Sequence, residues 1–217
     1  MSLTRLKSSL KASGDSSQVT FWFVRHSESE ENTKGDGSQV MHDTPLTPQG
    51  QDESASIVRY LKEEGITVAR ILTAPTARST QTADIIAREN GLEVEVVPGL
   101  TERDWGDWKN LPWRDVAEKL KGMDIQERHT FVPPNGESWQ QMDERLLQAL
   151  ENIALQVQEG DDVLIITHRG CLRAILPILA KASREQHEEY SVPLASLSKL
   201  SFEREAFDFV GHRPHQD

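Results

Sequence analysis

The sequence predicts a three-layer α/β domain with a mostly parallel central sheet flanked by helices on both faces. Two observations predict it. Short apolar runs alternate with amphipathic stretches from residue 18 onward, and several runs are apolar throughout, as in strands covered on both sides. The 217 residues are enough for one large domain, and no internal repeat is visible. We therefore expect a single domain over residues 18–210, an N-terminal segment at 1–17 without fixed structure, and a tail at 211–217.

Strands are predicted wherever a short apolar or alternating run is bounded by turn residues. The predicted strands cover residues 20–24, 68–73, 93–97, 163–167, 197–202 and 207–210. The last of them is expected to be antiparallel, at the edge of the sheet.

Helices are predicted from their boundary residues and from apolar positions three and four residues apart. They cover residues 48–64, 76–90, 112–121, 137–158 and 171–181, with a further helix start at Ser183. Thr47 with Pro48 marks the first start, and Gly91 closes the second helix. Pro177 is expected to interrupt the helix at 171–181. Residues 99–111 show neither period and are predicted to form a loop.

Composition argues against several classes of function. A net charge of −11 argues against a nucleic-acid partner, because such proteins present a basic surface to the phosphates. No apolar run approaches the roughly 20 residues of a membrane helix, so no membrane association is expected. The lone cysteine, Cys171, excludes an internal disulfide and fits a reducing compartment, so a cytoplasmic location is expected. Residues 1–17 lack the apolar core of a secretory signal, although their basic character leaves a transit peptide open.

Two histidines follow predicted strands directly. Arg25 and His26 come after the run at 20–24, and His168 with Arg169 follows the buried run at 163–167. Ligands of open α/β sheets bind outside the carboxyl ends of the strands, where helix N-termini favour anions. The sequence therefore predicts that the two histidines share one anion site.

The residues near this edge suit phosphoryl transfer. His26 is the candidate nucleophile, because the adjacent Arg25 would bind phosphate and favour the neutral imidazole that attacks. A backbone carbonyl is expected to hold its other ring nitrogen. Arg78, in the first turns of the helix at 76–90, offers a planar fork for two phosphate oxygens.

Six segments in order make the chain resemble the histidine phosphatase superfamily, the phosphoglycerate-mutase-like fold. They are Arg25-His26-Ser27-Glu28 with Asn32, Pro45-Leu46-Thr47-Pro48-Gln49-Gly50, the Arg78 segment, Leu100-Thr101-Glu102 with Gly106-Asp107-Trp108, Asn135-Gly136-Glu137-Ser138, and His168-Arg169-Gly170. The resemblance covers residues 19–205.

The resemblance implies a covalent mechanism. His26 would become phosphohistidine while Arg25, Arg78 and His168 hold the phosphate oxygens. Glu102 matches the family's proton donor, and Asn32 matches a position that contacts phosphate or substrate. No metal or other cofactor is implied, because arginines and histidine supply the positive charge.

Two residues depart from the family pattern. Ser27 stands where glycine is usual, so its side chain is expected to crowd the phosphate loop, where its hydroxyl could donate to substrate. Arg169 replaces a small residue and either adds a cation at the rim or points to solvent. Three tryptophans, Trp105, Trp108 and Trp113, form either an aromatic wall for the substrate or loop packing.

Three classes of function stay open on these motifs. A phosphomonoester hydrolase is favoured over a phosphoglycerate mutase. Mutases of this family share a long insertion between the acid and the Glu-Ser segment, and the 34 residues of 103–136 are too few for it. An inactive phosphate-binding or scaffold protein on the same fold is the third. The expected partner is a small phosphorylated metabolite or a phosphoprotein, and the oligomeric state is left open.

Overall fold

The computed structural model describes residues 19–37, 42–158, 160–182, 189–202 and 207–212. The strands of these residues form one sheet. They are β1 (Val19–Arg25), β2 (Val68–Thr73), β3 (Val94–Val96), β4 (Asp162–Thr167), β5 (Leu197–Phe202) and β6 (Phe207–His212). Their order is β3-β2-β4-β1-β5-β6. The first four run parallel, whereas β5 is antiparallel to β1 and β6 is antiparallel to β5. The predicted mostly parallel sheet is confirmed, and the last strand lies at its edge, antiparallel to its neighbour β5. The antiparallel pairing of β5 with β1, inside the sheet, was not predicted.

The helices agree with the sequence at their starts more than at their ends. They are α1 (Pro48–Glu63), α2 (Ala77–Asn90), α3 (Trp113–Lys119), α4 (Ile125–Thr130), α5 (Trp139–Ala154) and α6 (Arg169–Leu179), with short 3₁₀ segments at Asn32–Gly37, Pro98–Leu100 and Gly106–Trp108. The Thr47 hydroxyl accepts the Gly50 N–H at the start of α1, and Ser138 forms a capping box at the start of α5. Within the described residues, no helix is long and apolar enough to cross a membrane.

The structure differs from the predicted elements in three further places. Helix α6 continues through Pro177, because proline in the last turn loses only one backbone bond. Helix α4 was not predicted, since its six residues are too few to show a period. Strand β6 extends to His212, two residues into the predicted tail. The N-terminal segment at 1–17, residues 213–217 and the helix start at Ser183 lie outside the described residues.

The core lies on both faces of the sheet, as the three-layer prediction requires. On one face Phe21 and Phe23 of β1 pack with Leu146 of α5 and Leu172 of α6. On the other face Trp22 and Val24 pack with residues of α1 and α2. Neighbouring side chains of β1 therefore point to opposite cores, which explains why the strand is apolar at nearly every position.

The pairing of β1 with β4 determines where the predicted site residues lie. Arg25 is in register with Thr167, and the His26 N–H donates to the Thr167 carbonyl at 3.0 Å. After β1 the chain passes to α1 on one face, and after β4 it passes to α6 on the other. The two connections diverge, and such a divergence opens a crevice at the carboxyl ends of the strands.

Candidate active site

A cavity of about 540 Å³ opens at this edge of the sheet. It brings together seven of the eight residues that the sequence proposed for the site. They are Arg25, His26, Asn32, Arg78, Glu102, His168 and Arg169. The eighth, Ser27, lies outside the cavity.

His26 is 4% exposed, and both of its ring nitrogens have partners. Nδ1 lies 2.9 Å from the Ser27 carbonyl oxygen, to which it donates, and Nε2 lies 3.2 Å from Nε of Arg78. Arginine only donates, so Nε2 carries the lone pair. Burial, followed by the charge of Arg78, lowers the pKa of His26 well below its ordinary value. The ring is therefore neutral near pH 7, with its nucleophilic nitrogen beside Arg78.

His168 lies against His26, with ring centroids 5.2 Å apart, and is 1% exposed. Its Nδ1 is 3.4 Å from Nη2 of Arg78, and its Nε2 is 3.3 Å from the hydroxyl of Thr76, which donates in turn to Ser79. The proton of the neutral ring is therefore on Nε2. Burial, then the charges of Arg78 and His26, lower the pKa of His168 well below its ordinary value.

Arg78 joins the two histidines from the first turn of α2. Its Nη1 donates to Oδ1 of Asp43 at 3.1 Å and to the His42 carbonyl at 3.2 Å. Asp43 also accepts the Ala77 N–H at the start of α2, so it fixes both the helix and the guanidinium. Burial lowers the pKa of Arg78, and the Asp43 carboxylate opposes that shift. Sequence reasoning missed Asp43, which precedes the Pro45-Leu46-Thr47 segment without a recognisable pattern.

Arg25 supplies the second buried cation. Its Nη1 donates to the Val192 carbonyl at 2.9 Å, while its buried Nε has no hydrogen-bond partner among the described residues. Burial, then the charge of Arg169, lowers its pKa to about 10, so the guanidinium stays charged near pH 7. The structure thus places a charged donor group beside His26.

Glu102 approaches the cavity from the segment after β3. Its Oε1 accepts the Arg103 N–H at 2.9 Å, and its Oε2 accepts the Gly170 N–H at 3.0 Å. A Cβ on Gly170 would lie 2.1 Å from Oε1 of Glu102. Gly170 is therefore the residue that lets this carboxylate lie against the start of α6.

The remaining predicted residues differ in their position. Asn32 lines the cavity, and its Oδ1 accepts from the Ser29 N–H and hydroxyl, so the group it offers a ligand is its Nδ2 amide. Arg169 is exposed at the rim, where its Nε donates to the Ser191 hydroxyl at 3.1 Å.

The prediction for Ser27 is wrong as to its side chain. Its hydroxyl is buried and bonds the Ser54 hydroxyl of α1 at 2.8 Å. The side chain therefore packs behind the loop and does not crowd the phosphate side.

The cavity also includes Glu31 and His42, which were not predicted as site residues. Nδ1 of His42 lies 2.7 Å from Oε2 of Glu31, which also accepts from Lys34. The sequence alone indicated a surface histidine, because His42 stands in no metal-ligand spacing.

The sequence left open whether three tryptophans form an aromatic wall or pack the loop, and the structure divides them. Trp105 and Trp113 line the cavity, but Trp108 lies against Phe131, with ring centroids 5.3 Å apart. Trp139, which lies in the helix predicted at 137–158 and was not proposed for the site, also lines the cavity.

Other phosphate chemistries find no support in the described part of the chain. There, no group of three or more histidine, cysteine or acidic side chains is arranged to hold a metal ion. Cys171 is fully buried, and burial raises the pKa of its thiol. A buried thiol of this kind is not a nucleophile.

The fold, the paired histidines and their arginines define a class of protein that a family comparison also identifies. Residues 21–213 match the histidine phosphatase superfamily (branch 1), and the chain belongs to this family.

Among curated proteins, the chain is 25% identical over 185 residues to human 6-phosphofructo-2-kinase/fructose-2,6-bisphosphatase 4, and 26% identical over 185 residues to human isoform 3. Each match covers 84% of this chain but only 37% and 34% of the relatives, so the chain spans about a third of their length.

Solved structures of phosphatases share the fold. The Shigella flexneri alpha-ribazole phosphatase has a TM-score of 0.76 and 21% identity over 89% of this chain and 96% of its own. A mycobacterial glucosyl-3-phosphoglycerate phosphatase in complex with VO3 has a TM-score of 0.75 and 21% identity over 91% of this chain and 98% of its own.

Proposed function

We propose that the protein hydrolyses phosphomonoesters through a phosphohistidine on His26. One observation carries the proposal: Nδ1 of His26 donates to the Ser27 carbonyl, which leaves the Nε2 lone pair beside Arg78 and His168. A nucleophile has to be unprotonated at the attacking atom, and the lowered pKa of His26 keeps it so near pH 7.

In the first step, Nε2 of His26 attacks phosphorus and the bond from phosphorus to the ester oxygen breaks. Glu102, which enters this step as the carboxylic acid, gives its proton to that oxygen, so the alcohol leaves neutral and Glu102 becomes the carboxylate. Arg25 and Arg78 donate to the phosphoryl oxygens, and His168 faces the same group through Nδ1. In the free protein Nδ1 of His168 is unprotonated and accepts from Arg78. We propose that Nη2 of Arg78 turns to the dianionic phosphate when it binds, and that Nδ1 of His168 then takes up a proton from solvent and donates to a phosphoryl oxygen.

In the second step, water replaces the alcohol. The Glu102 carboxylate removes a proton from the water, whose oxygen attacks phosphorus while the N–P bond breaks. Inorganic phosphate leaves and neutral His26 is restored. Both carboxylate oxygens of Glu102 are held by backbone N–H groups, which orient it for both steps.

The charge stabilisation in this scheme comes from side chains. Arg25 and Arg78 are both largely buried, and a buried donor that points at developing charge is worth more than one in water. We therefore propose that hydrolysis proceeds without an added metal ion.

The substrate is proposed to be a small phosphorylated metabolite. The cavity is positive within a chain of net charge −11, which suits a compact anion. The names of the fructose-2,6-bisphosphatase, alpha-ribazole phosphatase and glucosyl-3-phosphoglycerate phosphatase point to substrates of this size. A phosphoprotein is the alternative that a substrate screen would reveal.

Phosphate release from a metabolite panel, with chelator present, tests the proposal. His26→Ala is expected to lower kcat at least about 10³-fold, as loss of a nucleophile does elsewhere. His129→Gln, a histidine outside the cavity, is the matched control. Rapid mixing followed by mass spectrometry should find acid-labile phosphate on His26.

Three outcomes would contradict the proposal. Full activity of His26→Ala would exclude the nucleophile, and dependence on added metal would exclude the charge scheme. Transfer of phosphate between hydroxyls of phosphoglycerate, without net release, would indicate a mutase. Binding of phosphate without turnover of any ester would indicate a scaffold.

A further inference from the structure

The three cavity tryptophans form a continuous wall, which we call the aromatic wall: Trp105, Trp113 and Trp139. Trp105 meets Trp113 edge to face, with centroids 6.0 Å apart and planes at 76°, and meets Trp139 in the same way at 6.4 Å and 89°. Trp105 is buried, whereas Trp113 is 41% exposed. A half-exposed tryptophan at the mouth of a cavity offers apolar surface to a ligand.

A buried cation fixes the wall from behind. The guanidinium carbon of Arg103 lies 4.1 Å from the centroid of Trp105 and 4.9 Å from that of Trp139. Arg103 also donates to the carbonyls of Glu137 and Phe131, both at 2.9 Å. Trp105 and Trp139 therefore need little reordering when a ligand binds.

Close backbone contacts also hold the segment 104–107, which carries Trp105. The Glu137 N–H donates to the Asp104 carbonyl and the Asp107 N–H to the Pro134 carbonyl, both at 2.9 Å. At Gly106, which has φ of +53°, a Cβ would lie 2.1 Å from the Pro134 carbonyl oxygen. These contacts between residues 104–107 and residues 134–137 thus hold Trp105 in place.

The wall lies on the leaving-group side of the proposed reaction. Glu102, which would protonate the leaving oxygen, immediately precedes Arg103 and accepts its N–H, so the acid and the support of the wall are neighbours in the chain. The cavity volume of about 540 Å³ lies within the range of about 300–1,000 Å³ found for small-molecule sites. Space therefore remains beside the phosphate for a ring.

We infer that the aromatic wall is a specificity subsite, and that the preferred substrate is a phosphomonoester of an alcohol bearing a flat aromatic ring, which packs on Trp113. This inference rests on the proposed hydrolase function and adds the class of alcohol. Aryl and nucleobase rings share the chemistry, and the ring is held by stacking and burial rather than by charge.

Three primary alkyl esters test the inference, because their leaving groups differ little in chemical reactivity: benzyl, cyclohexylmethyl and propyl phosphate. The kcat/KM for benzyl phosphate is expected to exceed that for propyl phosphate by about tenfold or more, the ratio that about 1.4 kcal/mol provides. Cyclohexylmethyl phosphate, of similar bulk but without a flat ring, should lie between them. Adenosine 5′-monophosphate should show whether a nucleobase ring is preferred to an aryl one.

Variants of Trp113 and Trp108 test whether the aromatic wall causes the preference for benzyl over propyl phosphate. Trp113→Ala is expected to lower kcat/KM for benzyl phosphate at least fivefold more than that for propyl phosphate, and Trp113→Phe should retain most of the preference. Trp108→Phe, outside the cavity, should change both esters by the same factor. Equal kcat/KM for benzyl and propyl phosphate, or equal losses in Trp113→Ala, would overturn the inference and leave the hydrolase proposal standing.

A binding measurement separates the two proposals. Benzylphosphonate should bind about tenfold more tightly than propylphosphonate in calorimetric titration, and Trp113→Ala should abolish the difference. Equal dissociation constants would overturn the subsite even if both esters are hydrolysed. If no ester is hydrolysed by the unaltered protein, the hydrolase proposal fails and the inference fails with it.

Discussion

His26 and His168 stand at equivalent places in the molecule and are held in different chemical states. Each follows a buried parallel strand, and β1 and β4 are paired so that the two rings come within 5.2 Å. His26 carries its proton on Nδ1, because that nitrogen donates to the Ser27 carbonyl. His168 carries its proton on Nε2, because its Nδ1 faces Arg78.

Arg78 is the cause of the difference. Its guanidinium can only donate, so each ring has to present a lone pair to it, through Nε2 of His26 and Nδ1 of His168. The proton then lies on the far nitrogen, where the Ser27 carbonyl or the Thr76 hydroxyl accepts it. One arginine between two histidines thus assigns both tautomers.

The two strand ends also lead into different local structures. After β4 the chain enters α6 at once, and the Gly170 N–H reaches Glu102. After β1 the chain forms a loop whose Ser27 N–H and hydroxyl bond Thr82 and Ser54 behind it. One end therefore presents a backbone donor to the site, and the other anchors the candidate nucleophile.

Removal of Arg78 is expected to have the largest effect. Arg78→Ala should lower kcat by about 10²–10³-fold, as loss of one preorganised donor does in other enzymes. It should also raise the pKa values of both histidines, because the charge of Arg78 lowers both. The pH dependence of kcat/KM and NMR titration of the imidazoles would measure the two effects.

Arg70→Ala, at the exposed ion pair with Glu95, is the matched control. Arg78→Lys keeps a charge but loses the planar fork, so it should lie between the variant and the unaltered protein. Activity of Arg78→Ala within tenfold of normal would contradict the role of Arg78 at both rings.

Gly170→Ala tests the β4 end alone. The added Cβ would lie 2.1 Å from Oε1 of Glu102, so the carboxylate has to move, and kcat should fall about 10²-fold with the fold retained. Steady-state kinetics and circular dichroism would measure both.

Ser27→Ala is the corresponding change at the β1 end. It removes a hydroxyl bond behind the loop, so it should cost about 1 kcal/mol of stability and change kcat less than about threefold. If Gly170→Ala is as active as Ser27→Ala, the proposed role of the Gly170–Glu102 contact is wrong.

The last expected effect is a dependence of stability on pH. In the folded protein the pKa values of His26 and His168 lie well below 6.5, whereas unfolded histidines titrate near 6.5. Above pH 6.5 both states are neutral. As pH falls below 6.5 the unfolded state binds more protons, so the free energy of unfolding falls, by at most about 1.4 kcal/mol per pH unit for each histidine.

Urea unfolding between pH 7.5 and 5.5 would measure this dependence. His26→Asn and His168→Asn should each reduce it, because each removes one histidine whose pKa is lowered by burial. Equal slopes in the unaltered protein and both variants would contradict the buried neutral state of the rings.

The location of most site residues could be predicted from the sequence, because each of them follows a strand or opens a helix. Arg25, His26 and His168 end apolar runs, and Arg78 follows another, so topology alone placed them at one edge. Ser27 was misjudged because a one-dimensional pattern does not show which side of a loop a side chain faces. Asp43 and Trp139 were missed as site residues because their roles depend on contacts with segments distant in sequence.

The sequence by itself determined the strands, the class of fold and the residue types at the site, because these depend on local periodicity and on the order of motifs. Only the tertiary structure decided the tautomers of the two histidines, the burial of the Ser27 hydroxyl and the composition of the aromatic wall. The physical reason is that hydrogen-bond direction and burial are set by which distant groups become neighbours. Here that was decided by the pairing of β1 with β4 and the position of Arg78 between their ends.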